Sequence, residues 1–433
     1  MVIGYIDKAS ADDFLSKVRP HAPGNESTPA ADKGSSASRN APATKVELSP
    51  EAKRHLSKDD ELSTEEALDV VDQLADLGVD EVTLIGGEAY LRNDFILVLR
   101  RIRERRMIAS VTTGGYNLTR ARMEAMAEAG VMNVGISIDG MEASHDRVRN
   151  RPNSWKRAFA AMAEVRRAGV PVAVNSQING INLGEHLELL EHIAEAGCHS
   201  WQLQFTIPHG NACEHPELWL QPWEITKFYD QLPQIFVRAR ELGVRIFPGN
   251  NLGYFGPLES QLRQAISATA HYQGCAAGNA TIAIESNGAI KPCPTLGGPN
   301  NIAGTVREHS LRELWERAPE MTYIRRRKKD TLWGFCADCY YAETCMAGCM
   351  ATAEPLMGRP GNNPYCHHRV LELEKQGVRE SLQLATPAPN EPFAYATFRL
   401  LTESLDEAER AKGPIKVTEP RPPRTEIELG PGA

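Results

Sequence analysis

Residues 81–113 read EVTLIGGEAYLRNDFILVLRRIRERRMIASVTT, and this stretch decides the fold. Residues 81–87 are a short, mostly apolar run closing on two glycines. Residues 95–106 carry apolar side chains at helical spacing, and residues 107–113 are a second apolar run. A strand that is apolar along its whole length is suited to burial on both faces, as in a parallel sheet covered by helices.

The unit repeats downstream. Helical patterns at 119–130, 154–169 and 183–197 alternate with strand patterns at 133–139, 171–179 and 200–206. Five strands fall between Glu81 and Thr206, which predicts an α/β fold: a full or partial parallel barrel ringed by helices, with function at the strands' carboxyl ends. A helix near 222–242 and a strand at 244–248 extend this unit to about residue 250. Upstream, Ser63 and Glu66 form a capping box for a helix with apolar positions Ala67, Val70, Val71, Leu74 and Leu77, and Gly78 marks its end.

The flanks differ in character. Residues 20–60 are rich in Pro, Ser, Ala, Gly and charge, and the last twenty residues in Pro, Glu and Arg, so both are expected to be irregular or disordered. Residues 250–257, NNLGYFGP, read as a loop. The expected division is an irregular segment 1–60, a barrel 61–250, a small cysteine-rich domain 251–372, and a terminal helix with a disordered tail 373–433.

Composition narrows the function classes. The chain has 433 residues, 42% apolar and 24% charged, with a formal net charge of -8. That balance argues against a nucleic-acid binder, which needs a basic surface. The run Arg325, Arg326, Arg327, Lys328, Lys329 is the local exception and reads as a solvated helix end. No run approaches the roughly 18 apolar residues of a membrane helix, and the acidic opening is unlike a signal peptide, so a cytoplasmic protein off the membrane is expected.

Cysteine placement is the most informative feature. None occurs before Cys198. Cys198 and Cys213 stand alone, and the other seven fall between Cys275 and Cys366. They run Cys275, then Gly288 and Cys293, then Cys336-x2-Cys339-x5-Cys345-x3-Cys349, then Cys366. In a chain without a secretion signal, clustered cysteines point to metal rather than disulfides. Four thiolates suit a zinc ion as well as an iron–sulfur cluster, and spacing alone does not separate the two.

The pattern C-x12-G-x4-C, then C-x2-C-x5-C-x3-C, then C resembles the seven-cysteine signature of the SPASM domain on peptide-maturing radical S-adenosylmethionine (SAM) enzymes. The resemblance implies two auxiliary [4Fe–4S] clusters. Cys275, Cys293 and Cys349 would hold one, with an open iron site, and Cys336, Cys339, Cys345 and Cys366 the other. Gly86-Gly87-Glu88 is similar to the family's motif that meets the SAM amino group. Thr113, Ser137 and Asn175 end strands where the family places nucleoside contacts, although as polar strand ends they also suit helix caps. SAM is therefore a possible cofactor. His145 and Asp146 read as the start of a surface helix, with a catalytic role as the alternative.

The sequence departs from the family at one place. Radical SAM enzymes carry C-x3-C-x2-C after the first barrel strand. If Gly34-Ser35-Ser36 is matched to the residues following it, Glu26, Ala30 and Lys33 occupy the ligand positions. With no cysteine before Cys198, the usual cluster cannot be built from the usual loop, since carboxylate, methyl and ammonium groups do not replace thiolates on a soft cluster. The expectation is a degenerate homologue that binds or scaffolds a precursor peptide or a partner maturation enzyme without reductive SAM cleavage. The alternative is an active peptide-modifying enzyme using SAM or an open auxiliary cluster.

Overall fold

The computed structural model describes residues 2–5, 60–264, 271–388 and 395–422. The irregular segment expected before residue 60, including Glu26, Ala30 and Lys33, lies outside the described residues apart from a short strand, β1 (Val2–Tyr5). From there the order is α1 (Thr64–Leu77), β2 (Glu81–Leu84), α2 (Phe95–Glu104), β3 (Ile108–Thr113), α3 (Arg120–Glu128), β4 (Asn133–Ser137), α4 (Glu142–Val148), α5 (Ser154–Arg167), β5 (Val172–Ile178), α6 (His186–Glu195), β6 (Cys198–Phe205), α7 (Ile225–Glu241) and β7 (Arg245–Pro248).

Strands β2 to β7 pair in parallel, one after the next, which gives the expected six-stranded barrel sheet. The reason is local. β3 is buried at all positions but one, and β5 and β6 are buried at most, so each strand needs a layer on both faces. The α1 capping box forms as expected. Ser63 Oγ accepts from the Glu66 amide, Glu66 Oε2 accepts from the Ser63 amide at 2.7 Å, and Gly78 ends the helix at φ 91°.

The sheet does not stop near residue 250. β8 (Thr281–Ile284), β9 (Ala289–Lys291) and β10 (Gly304–Thr305) join it through β1, which runs antiparallel to both β2 and β8. The cysteine-rich region therefore begins as an extension of the barrel sheet.

Two further expectations are corrected. Residues after the helix His367–Lys375 were expected to be tail, but β11 (Val378–Thr386), β12 (Thr397–Ser404) and β13 (Lys416–Thr418) form a three-stranded antiparallel sheet. Its alternate residues Glu380, Leu382, Phe398 and Leu400 are buried, so one face packs on the body. The basic run is not uniformly solvated either. Arg325 lies over the Trp315 ring and Arg327 is only 8% exposed.

The loop after β7 is a loop, as expected, but an interior one. Asn251 brackets the end of β6: its Oδ1 accepts from the Phe205 amide at 3.1 Å and its Nδ2 donates to the Phe205 carbonyl at 2.8 Å. Tyr254 and Phe255 both have positive φ, 76° and 56°, a strained state for residues with a Cβ. A buried Glu259 holds them there, its Oε2 accepting from the Phe255 amide at 3.0 Å. Replacing Asn251 with Ala leaves two buried backbone groups unpaired, and a loss of about 2–4 kcal/mol is expected in urea unfolding.

Two buried histidines give a pH signature. His186 sits fully buried between Trp201 and Phe228, and burial lowers its pKa from 6.5 to about 4. His145 is lowered likewise, chiefly by burial, and its Nδ1 accepts from the Asp139 amide at 3.0 Å, a bond that requires the neutral ring. Between pH 6.5 and 4 the unfolded chain binds protons that these folded rings refuse. Their contribution is thus full above pH 6.5 and falls as the pH drops towards 4. Urea midpoints measured from pH 7.5 to 4.5 should fall, and His186→Leu should flatten that slope.

Candidate functional site

The carboxyl end of β2 carries the first polar cluster. Gly86 and Gly87 have positive φ, 95° and 48°, which turns the chain so that Glu88 faces the end of β3. Glu88 Oε2 accepts from the Thr113 hydroxyl and Oε1 accepts from the Tyr116 amide at 3.1 Å. Thr113 Oγ1 also accepts from the Gly115 amide at 2.8 Å and contacts the Tyr90 hydroxyl at 3.1 Å. Glu88 and Thr113 are therefore brought together.

Ser137 and Asn175 lie two strands further on, opposite one another in the β4–β5 register. Gly135 faces Asn175, and a Cβ there would stand 2.8 Å from its Nδ2. A cavity of about 390 Å³ adjoins Gly86 and Glu88, but it opens towards Arg92, Ile284 and Glu285 rather than over Ser137 and Asn175.

Sequence reasoning left out a third cluster. Asp139, buried after β4, accepts from Arg149 Nε at 2.6 Å and from the Gln177 amide at 2.9 Å. His145 lies in the surface helix α4 as expected, but its ring is buried and turns inward to the Asp139 amide. Asp146 instead caps α5, accepting from the Trp155 amide at 2.8 Å and the Ser154 hydroxyl.

All nine cysteines are free of disulfides. Short elements place the seven. Cys336 closes a turn Gly334–Cys336, Cys345 ends the helix Ala342–Cys345, and Cys349 and Cys366 immediately precede the helices Met350–Met357 and His367–Lys375. Between Cys345 and Cys349, Met346, Ala347 and Gly348 all have positive φ, which reverses the chain sharply within three residues.

Mutual interactions sort the thiols. Cys275 and Cys349 lie within hydrogen-bonding reach, so Cys275 is held below the ordinary thiol range while Cys349 keeps its proton. Cys293 interacts with Cys275. Burial pushes Cys345 up to about 12, with Cys336 and Cys339 adding to it, and Cys366 is raised by burial and then by Cys345 and Cys336. Cys275, Cys293, Cys345, Cys349 and Cys366 share one apolar cluster and Cys336 lies in another. Among the described residues no three His, Cys, Asp or Glu side chains converge on a single-ion site. In a tetrahedral zinc site the sulfurs stand about 3.8 Å apart, whereas cluster thiolates each bind a separate iron.

Buried polar atoms without partners border these thiols. They are the Tyr272 hydroxyl, which interacts with Cys275, Cys349 and Cys345, Arg327 Nε, and Nδ2 of Asn363, whose amide reaches Cys336 Sγ at 3.5 Å. Donors of this kind suit the sulfides of a cluster. His367 and His368 are in ring contacts. His367 stacks on Tyr229 at 3.8 Å and His368 meets Tyr341 edge-on.

The loop after β7 reaches both ligand sets implied by the resemblance. The Tyr254 hydroxyl accepts from the Cys349 amide at 3.1 Å and donates to the Asn250 carbonyl at 2.6 Å, while Cys366 Sγ points at the Tyr254 carbonyl.

Comparison with known proteins agrees with this architecture. A Radical SAM superfamily model matches residues 49–196, and an iron–sulfur cluster-binding domain model, SPASM, matches residues 275–340. AdoMet-dependent heme synthase of Methanosarcina barkeri is 29% identical over 321 residues, covering 71% of this chain and 88% of its own. PqqA peptide cyclase of Rhizobium meliloti is 26% identical over 317 residues, covering 71% and 79%. Among solved structures, Streptococcus suis SuiB bound to precursor peptide SuiA superposes with a TM-score of 0.56 at 17% identity, over 70% of this chain and 68% of that one, a likeness of fold. Both domain models match in the order in which the parallel sheet and the seven-thiol region follow one another, and the chain carries a radical SAM domain followed by a SPASM domain.

Proposed function

We propose that this protein is an iron–sulfur scaffold of a ribosomal-peptide maturation pathway, which binds a precursor peptide or a partner enzyme and does not cleave SAM reductively. One observation carries the reading: seven thiols are gathered in the second domain, while no cysteine precedes residue 198 to build the catalytic cluster. Cys275, Cys293 and Cys349 would hold one auxiliary cluster and Cys336, Cys339, Cys345 and Cys366 the other. Such clusters supply one-electron storage when bound.

The barrel residues support the same reading. Glu88, the carboxylate that would meet the SAM ammonium, already accepts from Thr113 and Tyr116, and the cavity that Gly86 and Glu88 line does not include Ser137 or Asn175. Peptide as the ligand class rests on the relative named as a peptide cyclase and on the SuiB structure solved with its precursor peptide. The heme synthase relative favours a tetrapyrrole as the second reading, which a shift of porphyrin absorbance on mixing would reveal.

Among the described residues no helix is long and apolar enough to cross a membrane. A cytoplasmic location is part of the proposal.

Two measurements test it. Anaerobically purified protein should hold about eight irons per chain, with reduced-state paramagnetic resonance unchanged by SAM. Cys345→Ser should remove one of the two signals and leave the other. Incubation with SAM and dithionite should yield no 5'-deoxyadenosine, and SAM should give little protection against thermal unfolding. A ligand at 100 times its dissociation constant would add about 2.7 kcal/mol. Sustained 5'-deoxyadenosine formation would establish the active peptide-modifying enzyme instead.

A further inference from the structure

Four cationic side chains are buried among the described residues: Arg263, Lys291, Arg327 and Arg369. Three have a carboxylate. Arg263 pairs with Glu259 at 3.3 Å and Lys291 with Glu285 at 2.5 Å. Arg369 is bidentate to Glu380 at 2.7 Å on both arms and also donates to Asn362 Oδ1. No Asp or Glu among the described residues pairs with Arg327. Its guanidinium donates to the Met346 carbonyl, beside Cys345, and its Nε has no partner.

An unpaired guanidinium out of water is costly, so an anion is expected to face it. The groups that face it are thiols. Arg327 interacts with Cys275 of the three-thiol set and with Cys345 of the four-thiol set. It lies 5.9 Å over the Tyr323 ring, which packs in the same cluster as Cys275, Cys345 and Cys349. Arg327 thus borders the apolar cluster that holds Cys275, Cys345 and Cys349, with a whole positive charge that no carboxylate among the described residues offsets.

We propose that Arg327 is a shared electrostatic positioning residue, which raises the reduction potential of both auxiliary clusters and screens each from the other's charge. The inference rests on the two-cluster reading above. A cluster held by three or four thiolates is a net anion, and reduction by one electron from an external reductant such as dithionite adds a further negative charge. A buried cation whose field reaches both sets stabilises the reduced state of each. Arg369 also borders Cys336 and Cys366, but Glu380 cancels most of its field.

The test uses full-length, anaerobically reconstituted protein carrying Arg327→Gln, Arg327→Lys or Arg326→Gln, with iron and sulfide assayed before potentiometric titration followed by paramagnetic resonance. Arg326 is exposed, so its loss is screened by solvent and should leave both potentials unchanged. Arg327→Gln should move both midpoints to more negative potential, and Arg327→Lys should bring them back towards wild type. Loss of iron in Arg327→Gln but not in Arg327→Lys also meets the expectation, since it makes the charge the requirement. Unchanged midpoints on intact clusters overturn the role of Arg327, as does equal loss of iron in both variants. Wild-type protein that binds no iron overturns the cluster reading itself, a result the first assay separates from the rest.

Discussion

The structure depends on the contact between the Tyr254 hydroxyl and the amide of Cys349. The region that bears the seven thiols has few long helices and two small apolar clusters of its own, each containing cysteines, so it cannot rely on a large core for its shape. It takes its alignment from the barrel. Asn251 fixes the loop to the end of β6, the Tyr229 hydroxyl accepts from the Gly253 amide, and Glu259 ties Phe255 to Tyr272. Strain at Tyr254 and Phe255 persists because these bonds together over-determine it. The aromatic ring then lies so close to Gly348 that a Cβ at that position would stand 2.7 Å from it.

The parallel sheet was legible because its signal is local. Runs such as residues 107–113 and 171–179 are mostly apolar in their first halves without alternation, as suits a strand covered on both faces. The glycine pair before Glu88 was legible for the same reason, since a turn at a strand end is written in adjacent residues. Three features were hidden. β1 is four residues long and pairs with residues about 80 and 280 positions away, which no local pattern encodes. His145 follows an exposed Glu142 and precedes a capping Asp146, so only the position of the Asp139 amide shows that its ring turns inward. Arg327 sits among four other cations, and composition cannot tell the one that enters the interior from those that remain in water.

Charge and burial in the second domain form one problem. Thiols withdrawn from water resist ionisation, as the raised Cys345 and Cys366 show, and binding a metal group must displace their protons. Buried ion pairs such as Arg369 with Glu380 bring rigidity without net charge, whereas Arg327 brings charge. At the ends of β2 and β3 the side chains of Glu88 and Thr113 satisfy one another, whereas in the cysteine region Tyr272, Arg327 and Asn363 keep buried polar atoms without partners.

The antiparallel sheet at 378–418 has a bearing on biogenesis. Its extension returns to the cysteine region, where the Arg421 amide donates to the Met357 carbonyl, the Arg421 guanidinium covers the Trp333 ring at 4.3 Å, and the Gly358 Cα faces the Arg421 carbonyl with no space for a side chain. Trp333 stands three residues before Cys336. On the ribosome all seven cysteines emerge before residue 421 does, so during synthesis the thiol region passes through a period in which its final cover is missing. Delivery of iron and sulfide has its easiest access in that interval, and closure of the last strand then seals the door behind the cargo.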